Sequence, residues 1–237
     1  FQLHWQRIRS HVLSEVQGKH FKIWIYCGKS PLSKKFNYQD FYFKKAKKQN
    51  YTARSIFKLE EIDKKFKLFK KNQSVLDLGA SPGSWSQYVS EKVGIDQGLV
   101  VGLDLKPIEL NLPNAHFFEF DAFDANLNQL LQKNALPQSF DWLISDMAPK
   151  TTGVQFADQE KSYQLCLRAL ELSRTHLKDG GGLVVKYFHG PDYQDLMSAF
   201  KSQFKKTQSF RPKSTRKESK EIFLIGLGYR RQDPGAN

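Results

Sequence analysis

A glycine-rich loop and several isolated polar residues stand where predicted β-strands end. The loop runs from Asp77 to Gly83 (DLGASPG) and follows the apolar run SVL. The other polar residues at strand ends are Asp104, Asp121, Asp146 and Lys186. The carboxyl ends of parallel strands meet at one edge of a sheet, which is where such sheets bind ligands. Because glycine lets a backbone approach a ligand closely, Gly79 and Gly83 indicate binding at this edge.

The acidic residues suit an adenosine ligand that brings no pyrophosphate. A carboxylate at the end of the second strand, here Asp104, can accept hydrogen bonds from both ribose hydroxyls, as in dinucleotide sites. Asp121, at the end of the third strand, can accept one from the adenine amino group. S-adenosylmethionine fits these requirements, and we expect it to be the cofactor. Each acid taken alone is better explained as a turn or cap residue, and it is the presence of three at successive strand ends that favours a ligand site.

Two other interpretations of the loop remain open. A nicotinamide or flavin site needs G-x-G-x-x-G, which is absent, and Pro82 removes one of the N–H donors that such a site uses. The loop also matches G-x-S-x-G, the nucleophile elbow of α/β-hydrolases, with Asp146 and His189 following in triad order. However, the chain before residue 74 shows no convincing strands, and this interpretation gives Asp104 and Lys186 no role.

The elements that must position these residues follow an alternating pattern. Apolar runs predict strands near 74–79, 99–105, 115–121, 140–149, 183–188 and 221–229, and helical periodicity predicts helices near 53–67, 84–94, 124–136, 158–178 and 192–204. The strands are continuous apolar runs, which is typical of a mostly parallel sheet with helices on both faces. We therefore expect an α/β fold.

The charge of the chain favours a polyanionic partner. The 237 residues include 37 Lys and Arg against 24 Asp and Glu, a formal net charge of +13. The basic residues concentrate in 34–55, where aromatic residues are interleaved, and in 201–220. Basic side chains neutralise phosphates and aromatic rings stack on unpaired bases, so we expect RNA or another nucleic acid. The candidate RNA-binding residues are Lys44, Lys45, Lys47, Lys48, Arg54, Arg216 and Lys217.

Composition also excludes several classes of protein. No apolar run approaches the ~18 residues that span a bilayer, and we expect neither a membrane association nor a signal peptide. Cys27 and Cys166 lie far apart, which argues against a disulfide scaffold and favours a reducing compartment. The six histidines show no metal-ligand spacing, so we expect no metal.

Several motifs in order resemble the FtsJ/RrmJ family of RNA ribose 2′-O-methyltransferases. They are ARSIFKLEEI (53–62), DLGASPGSWSQYV (77–89), SDMAP (145–149), LVVKYFHG (183–190) and STRKESKE (214–221). The resemblance covers about residues 40–229. It implies a Rossmann-like class I methyltransferase domain over 40–229, with a seven-stranded sheet. A basic N-terminal extension over 1–39 and a loose tail over 230–237 would flank it. Ser81 and Ser84 depart from the family's usual loop A-A-P-G-G, which we expect to be benign.

The resemblance also implies roles for individual residues. Lys58, Asp146, Lys186 and Glu221 fall on the positions of a catalytic Lys-Asp-Lys-Glu tetrad. Gly83, Trp85, Asp104, Asp121 and Asp146 fall on cofactor-contact positions. Lys186 is the first candidate to take the proton of the ribose hydroxyl and Asp146 the second.

The branch most similar in sequence methylates a uridine of large-subunit ribosomal RNA. We therefore expect a cytoplasmic monomer that acts on a large ribosomal subunit or its precursor, or an enzyme of the organellar matrix if the source is eukaryotic. A tRNA or mRNA-cap ribose methyltransferase is an alternative. A catalytically silent RNA-binding or ribosome-assembly protein on the same fold is another.

Overall fold

The computed structural model describes residues 38–231, of which 38–40 are described by their main chain only. The helices are α1 (Tyr38–Lys48), α2 (Ile56–Phe66), α3 (Ser84–Val93), α4 (Leu127–Lys133), α5 (Gln155–His176) and α6 (Tyr193–Gln203). The strands are β1 (Ser74–Leu78), β2 (Leu99–Asp104), β3 (Ala115–Glu119), β4 (Phe140–Ser145), β5 (Leu177–Phe188), β6 (Phe204–Phe210) and β7 (Glu221–Tyr229).

The strands form one seven-stranded sheet in the order β3-β2-β1-β4-β5-β7-β6. Neighbours from β3 to β5 are parallel, whereas β7 is antiparallel to both β5 and β6. The order reverses beside β1, between β1 and β4, so the carboxyl ends of β1 and β4 flank the crevice in which such sheets bind ligands. The predicted fold class, a mostly parallel α/β sheet of the Rossmann-like type, is confirmed.

Helices cover both faces of the sheet, as the continuous apolar strands predicted. Helices α1, α2 and α3 lie on one face, where Ile56, Leu59, Trp85 and Val89 share a core with the strands. Helices α4, α5 and α6 lie on the other, around residues such as Phe200. Burial of apolar area on two faces is the main stabilising contribution in such a three-layer fold.

The sequence analysis missed two elements. Strand β6 has the polar sequence FKKTQSF and pairs with β7 alone, so as an edge strand it needs no continuous apolar run. Helix α1 falls in the basic stretch 34–55 and is held by buried Ala46 and half-buried Tyr42. Its exposed residues mix lysines with Phe41 and Phe43, so the sequence shows no clear apolar stripe of helical period.

Strand β5 begins earlier than the predicted strand 183–188, so the run of three glycines at 180–182 lies inside it. β5 begins at Leu177, and Gly182 pairs with Trp142 of β4. A Cβ at Gly182 would lie 2.2 Å from Cζ3 of Trp142, so the indole ring occupies the space of a side chain. Glycine is required here by packing within the sheet.

The predicted outer regions are mostly beyond the described residues. The extension 1–39 lies outside them except for residues 38 and 39, which form the start of α1. The tail 230–237 lies outside them except for Arg230 and Arg231. The three predicted regions therefore stay predictions. None of the helices within 38–231 is long and apolar enough to span a membrane.

Candidate active site

The four residues on the tetrad positions form two ion pairs. Nζ of Lys58, on α2, lies 2.7 Å from Oε1 of Glu221, the first residue of β7. Nζ of Lys186, in β5, lies 2.9 Å from Oδ1 of Asp146, which follows the last residue of β4. The four side chains are 7–18% exposed, so both pairs are largely shielded from water. Each lysine therefore has a carboxylate partner from a different element.

The antiparallel pairing of β5 with β7 places the two ion pairs side by side. Lys186 lies directly opposite Phe223, and Glu221 precedes Phe223 by two residues. Residues opposite each other, and those two apart along a strand, point to the same face of a sheet, and such diagonal neighbours are about 7–8 Å apart. Nζ of Lys58 lies 6.0 Å from the centre of the Phe223 ring. The register thus puts Lys186, Glu221 and Phe223 on one face of the sheet, with the Lys58 ammonium beside the Phe223 ring.

The Lys186 ammonium is held by more than one acceptor. Besides Oδ1 of Asp146, it donates a hydrogen bond to the main-chain oxygen of the same residue. The main-chain oxygen of Lys186 accepts a hydrogen bond from Sγ of Cys166, 3.1 Å away. Burial raises the pKa of this thiol, so it remains a protonated donor. The position of Lys186 is therefore fixed at both ends of the residue.

The glycine loop joins β1 to α3 in a conformation that requires its glycines. Gly79 and Gly83 have φ angles of +75° and +104°, which L-residues rarely adopt. A Cβ at Gly79 would lie 2.6 Å from Cγ of Met147, and one at Gly83 would lie 2.0 Å from Cδ1 of Leu110. The loop is therefore packed against the residue that follows Asp146, which joins the predicted cofactor site to the tetrad.

Helix α2 is tied to the same loop. Oγ of Ser55 lies 2.9 Å from Oγ of Ser84, the first residue of α3, and the indole N–H of Trp85 donates to the main-chain oxygen of Ser55. The Trp85 ring is 2% exposed and its centre lies 5.7 Å from that of Phe223. We therefore expect any contact of Trp85 with a cofactor to come from its main chain. These contacts set the position of Lys58.

Asp104 and Asp121 stand at the ends of neighbouring strands, as predicted. The two carboxylate oxygens of Asp104 accept hydrogen bonds from the N–H groups of Ser81 (3.0 Å) and Lys106 (2.9 Å). Asp121 is exposed and accepts one from the N–H of Phe123. Each carboxylate oxygen has two lone pairs, so both residues keep acceptor capacity for a ligand. Their cofactor roles stay predictions.

Asp77, the first residue of the loop in the sequence analysis, had no contact assigned there; it lies in β1 and is a further candidate. Its carboxylate is 1% exposed, Oδ2 accepts a 2.6 Å hydrogen bond from Ser86, and Oδ1 is buried without a partner among the described residues. Burial raises the pKa of Asp77 to about 7, and the charges of Asp146 and Asp104 add to the rise, although the Ser86 hydrogen bond opposes it. An acid inside the apolar run SVLDLG was the signal that could have singled it out.

The predicted RNA-binding residues lie mostly on the surface. Lys44, Lys47, Lys48, Arg216 and Lys217 are exposed, whereas Lys45 lies over the Phe57 ring and Arg54 is half-buried. Of the interleaved aromatic residues, Phe41 and Phe43 are exposed, while Tyr42 and Tyr51 pack against the core. Phe36 lies outside the described residues. The structure thus leaves two of these rings accessible for stacking.

The hydrolase alternative fails on geometry. A triad needs a hydrogen bond between its acid and its histidine. Asp146 instead bonds Lys186, and the His189 ring stacks on Tyr193 with their centres 4.9 Å apart. Within the described residues, no group of three or more His, Cys, Asp or Glu side chains could hold a metal ion.

Sequence comparison gives relatives that span most of the chain. Residues 51–229 match the family described as FtsJ-like methyltransferase. A protein of Bdellovibrio bacteriovorus named ribosomal RNA large subunit methyltransferase E is 51% identical over 192 residues, which are 81% of this chain and 97% of that protein. A protein of Nitratidesulfovibrio vulgaris with the same name is 48% identical over 196 residues, which are 81% of this chain and 94% of that protein.

Structure comparison gives the same class of fold. A ribosomal RNA methyltransferase of Plasmodium falciparum superposes with a TM-score of 0.69 at 27% identity, over 77% of this chain and 100% of the other. The fibrillarin pre-rRNA processing protein of Methanococcus jannaschii has a TM-score of 0.51 at 16% identity, over 68% of each chain. The second likeness concerns the fold alone.

Proposed function

Because this chain belongs to the FtsJ-like methyltransferase family, we propose that it transfers the methyl group of S-adenosylmethionine to a ribose 2′-hydroxyl of large-subunit ribosomal RNA, at a uridine. The names of the two bacterial relatives support this substrate. The observation that supports a hydroxyl target is the pair of lysine–carboxylate contacts beside the glycine loop, Lys58–Glu221 and Lys186–Asp146. A group of this kind can hold a hydroxyl and accept its proton.

The residues around the loop fit S-adenosylmethionine. The charges of Asp146 and Asp104 add to the raised pKa of Asp77, whose Oδ1 is buried without a partner among the described residues, so three acidic groups lie near the loop. Such a cluster favours a cationic ligand, and the cofactor carries a sulfonium and an ammonium group. Gly79 and Gly83 supply the close backbone approach. We propose that Asp104 holds the ribose and Asp121 the adenine of this cofactor.

The protein has to orient the ribose oxygen and loosen its proton, because the bound cofactor supplies an already activated methyl group. Two of the three N–H groups of the Lys186 ammonium donate to Asp146, so one is left among the described residues to donate to the ribose oxygen. An ammonium has no lone pair, and Lys186 can take a proton only after it has passed one to Asp146. We therefore assign the accepted proton to the pair.

The other ion pair has a positioning role in this proposal. Glu221 holds Nζ of Lys58 at 2.7 Å, and α2 is tied to the glycine loop through Ser55 and Ser84. Lys58 then lies where its charge stabilises the oxygen as negative charge develops on it. Glu221 keeps the lysine from turning toward solvent.

The basic surface supports RNA as the macromolecular substrate. The exposed lysines of α1 suit phosphate contacts, and the exposed rings of Phe41 and Phe43 suit stacking on an unpaired base. We further propose that the enzyme acts as a monomer in the cytoplasm, on a large ribosomal subunit or its precursor. The names of the two bacterial relatives support large-subunit ribosomal RNA as the substrate.

Transfer of tritium from labelled cofactor tests the proposal. Purified protein is incubated with bulk RNA, tRNA, capped mRNA and large ribosomal subunits, and the labelled nucleotide is mapped by its resistance to alkaline cleavage. We expect label on one ribose of large-subunit RNA and none with Lys186→Ala. Label on tRNA or on mRNA caps would show that the substrate is one of these RNAs instead. RNA binding without any label would favour the alternative of a catalytically silent RNA-binding protein.

A further inference from the structure

The connection between β6 and β7 contains polar groups that the fold leaves unsatisfied. Oγ of Ser214 and Oγ1 of Thr215 are buried without a hydrogen-bond partner among the described residues, as is Nη1 of Arg54. Ser214 and Thr215 are 1% and 6% exposed. Buried polar groups without partners destabilise a fold, and native structures rarely keep several together.

These groups belong to one cluster. Nη2 of Arg54 donates a 2.8 Å hydrogen bond to the main-chain oxygen of Ser214, which brings the guanidinium onto the connection. Thr215 is the next residue along the chain. Arg54 lies four residues before Lys58, and the connection ends at Glu221, so the cluster adjoins the proposed catalytic group.

Other side chains already hold the connection in place. Glu61 accepts hydrogen bonds from the N–H groups of Lys213 (2.6 Å) and Ser214 (2.9 Å). Nη2 of Arg211 donates to the main-chain oxygens of residues 216, 217 and 219. The shape of the connection therefore does not depend on the two hydroxyl groups, whose presence needs another explanation.

The charges of the cluster suit an anion. Burial lowers the pKa of Arg54, and repulsion from Arg216 lowers it further, while Glu221 and Glu218 oppose this effect. Glu221 is already paired with Lys58. An anion between the two arginines would relieve both the burial cost and their repulsion.

Building on the proposed function, we propose that Arg54, Ser214 and Thr215 bind one phosphate of the RNA backbone next to the target ribose. A phosphate offers several acceptor oxygens, and a guanidinium and two hydroxyls are donors that match them. Both hydroxyls are buried, so binding includes a shift of the exposed segment 216–218, in which this segment gives up its hydrogen bonds from Arg211. The site fixes the register of the RNA, which places one particular ribose at Lys186.

The double variant Ser214→Ala/Thr215→Val tests this site because it removes both hydroxyls and keeps the volumes similar. We expect KM for RNA to rise by roughly two- to tenfold for each hydroxyl removed, which is the effect of losing one hydrogen bond. The affinity for S-adenosylmethionine should be unchanged. The matched control is Ser202→Ala/Thr175→Val, on the helices of the opposite face, where both hydroxyls bond main-chain oxygens of their own helices.

Phosphorothioate interference identifies the phosphate itself. RNA is transcribed with phosphorothioate linkages at one of the four nucleotides at a time and is then methylated. The linkages at which phosphorothioates are depleted from the methylated RNA are mapped. We expect wild-type protein and the control to show interference at one linkage beside the target ribose, and the Ser214→Ala/Thr215→Val variant to lose that interference.

Three other outcomes would overturn the assignment. An unchanged KM and interference pattern would show that the hydroxyls contact water or nothing. A loss of cofactor affinity with an unchanged KM for RNA would assign the cluster to the carboxylate of the cofactor. If wild-type protein methylates no RNA at all, the proposed function fails and this site fails with it.

Discussion

Replacement of Asp77 by asparagine is expected to change how the stability of the protein depends on pH. Burial raises the pKa of this carboxyl to about 7 in the folded protein, from an ordinary value of 3.8. The folded state therefore binds the proton more tightly than the unfolded state does. The buried charge therefore does not reduce stability at pH values below the pKa of the unfolded state. The loss of stability grows as the pH rises and is complete above pH 7.

The size of the effect follows from the two pKa values. Their difference corresponds to about 4 kcal/mol in the free energy of unfolding, which wild-type protein loses between roughly pH 4 and pH 8. More than half of this loss falls between pH 5 and pH 8. The asparagine variant lacks this loss, because an amide does not titrate. In the variant an NH₂ group replaces Oδ1, the atom that has no hydrogen-bond partner among the described residues. This unpaired donor lowers the free energy of unfolding by roughly 1–3 kcal/mol at every pH.

The two contributions predict that the order of stability reverses with pH. The variant Asp77→Asn should be less stable than wild-type protein near pH 4 and more stable near pH 8. Urea unfolding without cofactor, followed by circular dichroism at several pH values, measures both curves. Curves that stay parallel across this range would refute the argument that Asp77 is charged and buried in the folded protein.

Asp141 provides the matched control. Burial raises the pKa of this carboxyl, but hydrogen bonds from Lys178 and Ser74 outweigh burial and the net pKa is lowered. Because the pKa of Asp141 is lower in the folded state, its charge stabilises the protein at pH values above the pKa of the unfolded state. This stabilisation is lost as the pH falls through the pKa of the folded state. The difference between Asp141→Asn and wild-type protein should therefore stay constant from pH 5 to pH 8.

The remaining predictions concern the cofactor, the reaction and the RNA. Lys186→Ala should abolish methyl transfer but leave cofactor affinity in calorimetry nearly unchanged, and near-normal turnover would remove this lysine from the mechanism. Asp104→Ala should weaken cofactor binding by roughly 1–3 kcal/mol, and unchanged affinity would argue against its ribose contact. Gly79→Ala should lower both the melting temperature and cofactor affinity more than Gly153→Ala, which has a similar φ but open space around it; equal effects would contradict the packing argument. Lys48→Gln should weaken RNA binding and reduce the slope of log affinity against log salt by about 0.7–0.9, which filter binding at several salt concentrations measures.

Local patterns were sufficient for most of the architecture, although they missed β6 and α1. The apolar runs around Val75, Val101 and Leu143 mark strands that are buried on both faces, and the spacing of Ile56, Leu59 and Ile62 marks a helix. These signals are confined to a few consecutive residues, so a sequence shows them directly. Strand β6 escaped because an edge strand buries little.

The tertiary structure decided the partners of the polar residues. The motifs pointed to Lys58 and Glu221, but the pairing of residues 163 positions apart depends on how β7 inserts between β5 and β6. The same holds for the link between Arg54 and Ser214, and for the burial of Asp77, whose pKa the charges of Asp146 and Asp104 help to raise. Periodicity reports which residues are inward along one element, whereas the environment of a charge depends on every element around it.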